Sequence, residues 1–321
     1  MLKSGSISLY IKALYAQTKK IRMNIGEAEK QLKAQLTKLY NEREAGTIAD
    51  MVLETITGYT RIDRLIKKSN LLAENQSQIF QQYTHRLLQH EPVQYVIGKA
   101  WFYGMELYVD KDVLIPRPET EELVEWIVDD VKESGLDVFE RRMAEADQTR
   151  LLKILDVGTG SGCIALSLKK SMPKAEVWAC DASDKALNVA RRNGSDLDIR
   201  IDFVGLDFLN SHEQLQLPTV DILVSNPPYI PFIEKDKMHA NVVQYEPHTA
   251  LFVPDKDPLI FYKALCDFGK KRMHAGGRIY VEIHEDLGTE AVQLFEKEGY
   301  ADVILKKDMQ GKNRMIRASV I

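Results

Sequence analysis

The feature of this chain that most constrains its fold is a glycine-rich turn at residues 158–162, which lies between an apolar run and a helical pattern. The run Leu152–Val157 has the composition of a buried strand, and the helical pattern begins at about Cys163. Strand and helix patterns then alternate to the end of the chain. Because such alternation is typical of a mostly parallel sheet with helices on both faces, the sequence predicts a doubly wound α/β fold.

The segments of this sheet can be bounded from their apolar runs and turn residues. In chain order we predict strand 152–157, a helix from 163, strand 176–180, helix 184–193, strands 200–204 and 220–225, helix 258–272, strand 278–283, helix 286–298 and a last strand near 315–320. Together they define a predicted domain over residues 116–321, whose first helix opens at Pro118.

The segment before this domain has a different pattern. Residues 27–90 are helical in character, with Leu32, Leu36 and Leu39 on one face and charged or amide residues between them. Breaks at Gly46 and at two later turns divide the segment into about four short helices. Because this predicted bundle lacks residues with evident chemistry, we expect its task to be binding or positioning.

The predicted boundaries follow from these changes in pattern. We assign residues 23–91 to the helical domain and residues 92–115, which are rich in aromatic and β-branched side chains, to a β-hairpin that links it to the next domain. Residues 1–22 are predicted to be an upstream extension, because Met23 reads as the natural start of a domain.

Composition excludes several classes of protein. The chain has 321 residues, of which 45% are apolar and 28% charged, as in a soluble globular protein. Its cysteines, at positions 163, 180 and 266, lack the paired spacing of a zinc site or a disulfide framework, so we expect no metal. No apolar run approaches the roughly 20 residues that cross a bilayer. We therefore expect a cytoplasmic protein without a membrane partner.

Charge is distributed unevenly along the chain. The formal net charge is -4, yet residues 1–100 hold 15 Lys and Arg against 9 Asp and Glu, which gives +6 and leaves -10 for the rest. A catalytic domain that follows nucleic acid phosphates needs an excess of basic side chains. We therefore expect no stable nucleic acid binding. The basic N-terminal part is either a docking surface or a solvated helical face.

The glycine-rich turn predicts a nucleoside cofactor. Glycines let the backbone turn sharply and approach a ligand closely, and the start of the following helix offers free N–H groups. Asp181 ends the second predicted strand, where a carboxylate can accept hydrogen bonds from both ribose hydroxyls. Asp207 and Phe208 follow the third strand and are placed to bracket an adenine. A dinucleotide would need a residue that handles hydride downstream, and the sequence offers none there.

The chemistry of the predicted site is indicated by the turn Asn226–Tyr229, of sequence Asn-Pro-Pro-Tyr, which follows the apolar strand 220–225. Planar amide or amino nitrogens are poor nucleophiles because their lone pair is delocalised. An enzyme that uses one must hold its NH2 group by acceptors and aim it. The asparagine and a prolyl carbonyl supply acceptors, and the tyrosine supplies a flat wall.

These residues resemble a known family. Residues 158–162 resemble the first motif of class I S-adenosylmethionine-dependent methyltransferases, and the Asn-Pro-Pro-Tyr turn resembles the motif of those that methylate amino or amide nitrogens. Segments 102–104, 114–121 and 245–251 narrow the resemblance to the HemK/PrmC glutamine methyltransferases, over about residues 25–321.

The resemblance implies a Rossmann-like class I methyltransferase domain, S-adenosylmethionine as cofactor, and a peptide chain release factor as partner. Its members methylate the side-chain amide of the glutamine in the Gly-Gly-Gln motif of that factor, which the N-terminal bundle docks. The implied catalytic residues are Asn226, Pro227, Pro228 and Tyr229. The implied cofactor-binding residues are Gly158, Thr159, Gly160, Ser161, Gly162, Asp181, Asp207, Phe208 and Asn226.

The chain departs from the family pattern at two places. Residues 252–257 stand where the family usually has a pair of glycines, and His284 stands where a glycine is common. The first departure bears on the conformation of that loop and the second on the rim of the cofactor site.

Alternatives remain at the level of the sequence. The same four-residue turn can grip the amino group of an adenine or guanine rotated out of a nucleic acid stack. A third possibility is an adaptor that binds through the bundle and keeps the sheet as scaffold. Arg117 and Glu119 either cap the helix that follows or help to close the methionine end of the cofactor site, and Glu246 is expected to be structural rather than an acid or base.

Overall fold

A computed structural model of the chain describes residues 23–134 and 151–321. The predicted extension at 1–22 therefore lies outside the described residues. The chain divides into two compact units, with the boundary between Ile97 and Gly98. No helix within the described ranges is long and apolar enough to cross a membrane.

The first unit is helical. Its helices are α1 (Ile25–Leu36), α2 (Glu42–Thr57), α3 (Arg61–Ile66), α4 (Glu74–Leu88) and α5 (Val93–Ile97). Asn24 caps α1 through a capping box with Glu27, and Gly58 ends α2 in the left-handed conformation with φ of 68°. The apolar faces enclose a core that includes Leu32, Val52 and Phe80.

Three details of this unit differ from the prediction. Gly46 lies inside α2 and does not break it. Leu39 lies beyond the end of α1 and is exposed, so it does not extend the face of Leu32 and Leu36. Residues 93–97, which we predicted within the hairpin, form α5, because Val93 and Val96 are spaced to pack into the helical core.

The second unit begins with the predicted hairpin, which is shorter than expected. Strands β1 (Lys99–Phe102) and β2 (Met105–Tyr108) pair antiparallel. Tyr103 and Gly104 form the two-residue turn between them, with φ of 48° and 69°. Positive φ at both positions is what a type I′ hairpin turn requires, and glycine meets that requirement without strain.

The sheet of the second unit confirms the predicted fold class. Its elements are α6 (Pro118–Ser134), β3 (Lys153–Val157), α7 (Cys163–Ser171), β4 (Glu176–Asp181), α8 (Asp184–Asp196), β5 (Asp202–Gly205), β6 (Val220–Ser225), β7 (Ile230–Pro231), α9 (Ala240–Tyr245), β8 (Phe252–Val253), α10 (Ile260–Arg272), β9 (Met273–Glu282), α11 (Gly288–Lys297), β10 (Ala301–Lys307) and β11 (Asn313–Ser319). Among the described strands, seven form one sheet in the order β10-β11-β9-β6-β3-β4-β5, and β7 pairs separately with β8.

Strand direction and side-chain alternation explain the layers. Strands β5, β4, β3, β6 and β9 run parallel, β11 pairs antiparallel with β9, and β10 pairs antiparallel with β11. Ile154 packs in a core with α6 and α7, whereas its neighbour Leu155 packs in a second core with α10 and α11. Because successive side chains of a strand point to opposite faces, the sheet is covered on both sides.

The sequence analysis missed two parts of this sheet. Strand β10 was not predicted, because it lies at the edge and none of its residues is fully buried. Strand β9 begins five residues earlier than predicted, at Met273, where Gly276 and Gly277 interrupt the apolar pattern. Gly276 has φ of 76°, and the pairing of β9 with β6 shifts register in this region.

The order of the strands fixes where a ligand can bind. The chain proceeds from β3 outward through β4 to β5, and then crosses to β6 on the other side of β3. In open α/β sheets, ligands bind at the carboxyl ends of the strands where the direction of winding reverses. This places the expected site at the carboxyl ends of β3 and β6.

Candidate active site

A cavity of about 360 Å³ lies at this reversal point. Its wall includes residues from the ends of three parallel strands and from the segments that follow them. They are Val157, Gly158 and Gly160 after β3, Cys180 and Asp181 of β4, and Ser225 and Asn226 after β6, joined by Asp207, Phe208 and Phe261. Residues Leu114, Pro247 and Thr249 complete the wall from two loops. We call this space the first cavity.

The glycine-rich turn shapes one side of the first cavity. Gly158, Gly160 and Gly162 have φ of 72°, 55° and 83°, a region that other residues rarely adopt. Apart from the adjoining residues, no described heavy atom lies within 4 Å of the positions that side-chain carbons at Gly158 and Gly160 would take, so the turn leaves a backbone cradle open to a ligand. Gly162 serves packing instead, because a carbon there would lie 3.2 Å from Cβ of Ala190.

Asp181 is held beside this cradle by backbone hydrogen bonds. Its two carboxylate oxygens accept from the N–H groups of Gly160 and Ser183, each at 2.9 Å. Burial raises the pKa of Asp181, and these two bonds act in the opposite direction. A carboxylate has about four acceptor positions, so Asp181 keeps the capacity to accept from a diol.

Beneath the turn lies a buried carboxyl that the sequence analysis did not single out. The hydroxyl of Thr159 donates to Oδ2 of Asp156 at 2.7 Å, and the N–H of Ala165 donates to the same oxygen at 3.2 Å. Burial raises the pKa of Asp156 to about 7. Thr159 and Ser161, both predicted to contact the cofactor, are buried and do not line the cavity.

Asp207 and Phe208 both line the first cavity, as the adenine prediction requires. Oδ1 of Asp207 accepts from the N–H of Leu209 at 2.9 Å, which orients the side chain. The ring of Phe208 is buried and packs against Phe268 with centroids 5.4 Å apart. The contacts of these residues with a cofactor stay predictions.

A second cavity of about 220 Å³ adjoins the first. It is lined by Arg117, Tyr229, Ile230, Met238, Val242 and Leu251. Both cavities share Leu114, Asn226, Pro227 and Ala250 as wall residues. The Asn-Pro-Pro-Tyr turn therefore stands between a space beside the glycine turn and a smaller, largely apolar space.

Hydrogen bonds join the turn to two residues from distant segments. Nδ2 of Asn226 donates to Oγ1 of Thr120 at 3.0 Å, and Oγ1 of Thr120 donates to Oε2 of Glu282 at 2.6 Å. The hydroxyl of Tyr229 donates to Oε1 of the same carboxylate at 2.9 Å. We name these four residues the amide network.

The carboxyl group of Glu282, at the centre of the amide network, is buried. Burial raises the pKa of Glu282, whereas the hydrogen bonds from Thr120 and Tyr229 and the nearby charge of Arg314 lower it. Burial and the neighbouring carboxylate raise the pKa of Tyr229 well above its ordinary value, so the tyrosine stays a donor. The sequence analysis assigned no role to Thr120 or Glu282. A carboxylate at the carboxyl end of a parallel strand was the available signal for Glu282.

Arg117 and Glu246 connect the two loops at the shared wall. Nη2 of Arg117 lies 2.5 Å from Oε1 of Glu246, and Oε2 of Glu246 accepts from the N–H of Ile115 at 3.3 Å. Glu246 is buried, and its structural role stays a prediction. His248 contacts the carbonyl of Val243 through Nε2 at 2.8 Å and takes no part in this pair.

The two departures from the family pattern have defined positions. Phe252 and Val253 form β8 and pair with β7, and Oδ1 of Asp255 accepts from the N–H of Ile233 at 2.8 Å. The ring of His284 packs edge-on against Tyr229, with centroids 6.1 Å apart. His284 thus supports the tyrosine of the turn. Among the described residues, no cluster of side chains suits a metal ion.

Comparison with known proteins places this architecture in a family. Residues 27–98 match the family described as PrmC N-terminal domain, and residues 133–246 match Methyltransferase small domain. The chain is 39% identical over 285 residues to the release factor glutamine methyltransferase of Flavobacterium psychrophilum, a match covering 88% of this chain and 95% of that protein. The chain belongs to the release factor glutamine methyltransferase family. The predicted family resemblance is thereby confirmed.

Other relatives agree with this membership. The release factor glutamine methyltransferase of Bacteroides thetaiotaomicron is 38% identical over 288 residues, covering 90% of this chain and 97% of that protein. Among solved structures, the hMettl16 catalytic domain in complex with a MAT2A 3'UTR hairpin matches with a TM-score of 0.51 and 15% identity, over 77% of this chain and 82% of that one. At this identity, the likeness shows the fold alone.

Proposed function

We propose that this protein transfers a methyl group from S-adenosylmethionine to the side-chain amide nitrogen of the glutamine in the Gly-Gly-Gln motif of peptide chain release factors. We infer that the protein acts in translation termination, in the cytoplasm. The observation that carries the proposal is the shared wall at Asn226 and Pro227, which stands between a nucleoside-sized cavity and a smaller apolar one. The names of the family's other members support the choice of substrate.

The residues of the first cavity fit this cofactor. The open backbone cradle at Gly158 and Gly160 suits the amino acid part, Asp181 suits the ribose hydroxyls, and Asp207 and Phe208 suit the adenine. When bound, S-adenosylmethionine supplies a methyl group on a positively charged sulfur. The protein then needs to align the substrate nitrogen with that methyl group and to exclude water.

The turn between the cavities performs this alignment. Oδ1 of Asn226 and the carbonyl of Pro227 accept hydrogen bonds from the substrate NH2 group, which orients its nitrogen toward the first cavity. Pro228 fixes the backbone of the turn, and the ring of Tyr229 packs against the amide plane. These acceptors also stabilise the positive charge that develops on the nitrogen as the nitrogen–carbon bond forms and the sulfur–carbon bond breaks. The nitrogen then loses one proton to water, so no general base is required before transfer.

The helical unit is proposed to dock the release factor. Its α3 exposes Ile62, Leu65 and Ile66, at 71%, 63% and 75% of their surfaces, which is unusual for large apolar side chains so close together. The match of this unit to PrmC N-terminal domain supports the family resemblance that implies this role. Replacing Ile62 and Ile66 by serine tests it, since the KM for the release factor should rise while affinity for the cofactor stays unchanged.

The function is tested by incubating the purified protein with S-adenosylmethionine and a release factor, followed by mass spectrometry of the peptide that contains Gly-Gly-Gln. A gain of one methyl group on that glutamine is expected. A parallel reaction with DNA and RNA addresses the alternative of an adenine or guanine amino methyltransferase. Methylation of nucleic acid with an unmodified glutamine would replace the proposal by that alternative.

A further inference from the structure

Glu282 and Thr120 line neither cavity, yet both are tied to the turn that separates the cavities. Only 1% of Glu282 and 2% of Thr120 is exposed. Both oxygens of the Glu282 carboxylate accept hydrogen bonds from the amide network, one from Thr120 and one from Tyr229. A buried carboxylate is costly to maintain, and here it bonds Tyr229 of the turn directly and reaches Asn226 through Thr120.

The direction of these hydrogen bonds follows from the number of hydrogens available. A carboxylate can only accept, and a threonine hydroxyl has one hydrogen to donate. Because Thr120 donates that hydrogen to Glu282, Oγ1 of Thr120 can only accept a hydrogen bond from Asn226. The atom of Asn226 at 3.0 Å from Thr120 is therefore the amide nitrogen, and Oδ1 is the atom that remains for a ligand.

We propose that Glu282 and Thr120 are positioning residues that fix the side-chain amide of Asn226 with its Oδ1, and not its NH2 group, toward the substrate nitrogen. This inference rests on the proposed function. An asparagine amide is nearly symmetric in shape, so packing alone distinguishes its two orientations poorly. With the amide turned over, two NH2 groups would face each other and the substrate nitrogen would lose an acceptor.

The same carboxylate also holds the other wall of the substrate site. Its bond to the hydroxyl of Tyr229 restrains the ring proposed to pack on the substrate amide. One buried group thus sets the position of both side chains that would contact the substrate amide, although it contacts neither cavity itself. Glu282 and Thr120 come from β9 and α6, so the orientation depends on the fold of the whole sheet domain.

Thr120→Val tests the proposal, because valine has nearly the shape of threonine and lacks the hydroxyl. We expect kcat for release factor methylation to fall about tenfold, the loss expected from one hydrogen bond that acts in the transition state. Thr120→Ser keeps a hydroxyl and should restore most of the rate. The Kd for S-adenosylmethionine should stay close to wild type in both variants. The melting temperature should fall in Thr120→Val, because a buried carboxylate oxygen loses its donor, and stay close to wild type in Thr120→Ser.

Thr84→Val is a matched control, since Thr84 is also buried and the described residues offer its hydroxyl no hydrogen-bond partner. It should leave kcat unchanged. If Thr120→Val does not fold, Thr120→Ala, assayed below its own melting temperature, supplies the same comparison against serine. Equal losses in the valine and serine variants, or wild-type kcat in the valine variant, would overturn the proposal.

A measurement that requires no catalysis tests the positioning role separately from the proposed function. The side-chain amide of Asn226 should give a ¹⁵N signal with one slowly exchanging proton in the wild-type protein, and that protection should disappear in Thr120→Val. Unchanged protection would overturn the positioning role even if the enzyme is active. An unmethylated release factor with wild-type protein would reject the proposed function alone.

Discussion

The two cavities that meet at Asn226 and Pro227 are built in different ways. The first is shaped largely by backbone, from a glycine turn and strand ends that come together wherever this sheet forms. The second is shaped by side chains from loops far apart in the chain. The orientation of the Asn226 side chain in its wall depends on the amide network. The comparison teaches that a cofactor site can be inherited with a fold, whereas a substrate site must be assembled residue by residue.

The sharpest test of this contrast is Asn226→Ala, which removes the proposed substrate acceptor at the shared wall. We expect kcat to fall by about a hundredfold or more, a loss typical of removing one preorganised polar group from an active site. The Kd for S-adenosylmethionine should change little, since backbone and Asp181 dominate the first cavity. Calorimetric titration with the cofactor and steady-state methylation measure the two effects. A large loss of cofactor affinity would mean that the cavities are not separable in this way.

Asp181→Ala should have the opposite effect to Asn226→Ala, since it should weaken cofactor binding more than it lowers kcat. Loss of the carboxylate proposed to bond two ribose hydroxyls is expected to weaken cofactor binding by roughly 100-fold or more, because hydrogen bonds to charged groups contribute about 1.5–3 kcal/mol each. Asp202→Ala, at an exposed position on the neighbouring strand β5, is the matched control and should bind normally. Equal cofactor affinity in the two variants would remove Asp181 from the site.

Arg117→Ala probes the connection between the loops at the shared wall. The change leaves the buried carboxylate of Glu246 without its cation, and we expect a loss of about 2 kcal/mol in the free energy of unfolding, less than for a fully buried pair because Arg117 is half-buried. Denaturant unfolding measures the loss. In an Arg117→Ala, Glu246→Gln double variant the two effects should not add, and simple additivity would mean that the pair is not coupled.

The support beneath the first cavity should titrate near neutrality. The folded-state pKa of Asp156 is raised to about 7, above its unfolded value of 3.8, so the folded protein binds a proton there that the unfolded chain has already lost. The contribution of Asp156 to stability therefore decreases as pH rises from about 4 to about 7, by up to about 1.4 kcal/mol per pH unit. Asp156→Asn should lack this pH dependence of stability. Parallel stability curves for the variant and the wild type between pH 5 and pH 7 would contradict the assignment.

The cofactor side of the molecule could be predicted from the sequence in some detail. A glycine turn after an apolar run and an aspartate at the end of the next strand are local patterns. They can be recognised in the sequence without the three-dimensional structure. The same holds for the fold class, because strand and helix periods alternate regularly. Strand β10 was not predicted because Ile304 is apolar but exposed, so the alternation in burial along this edge strand does not show in the sequence.

The substrate side could be predicted only in part. The turn Asn226–Tyr229 is contiguous and was identified, but Thr120 and Glu282 lie 106 residues before and 56 residues after Asn226. Their link to the turn arises from the parallel pairing of β9 with β6 and from the packing of α6 on the sheet. Nothing in the local sequence states that a threonine near a helix start and a glutamate at a strand end share a hydrogen bond.

The shared wall of Leu114, Asn226, Pro227 and Ala250 also suggests how the enzyme could be blocked. A single compound that joins an adenosyl group to a glutamine-like chain would occupy both spaces at once. Linking the two halves turns the second binding event into an intramolecular one, so such a bisubstrate inhibitor should bind far more tightly than either fragment. Its selectivity over other adenosyl-binding enzymes would come from the glutamine-like half.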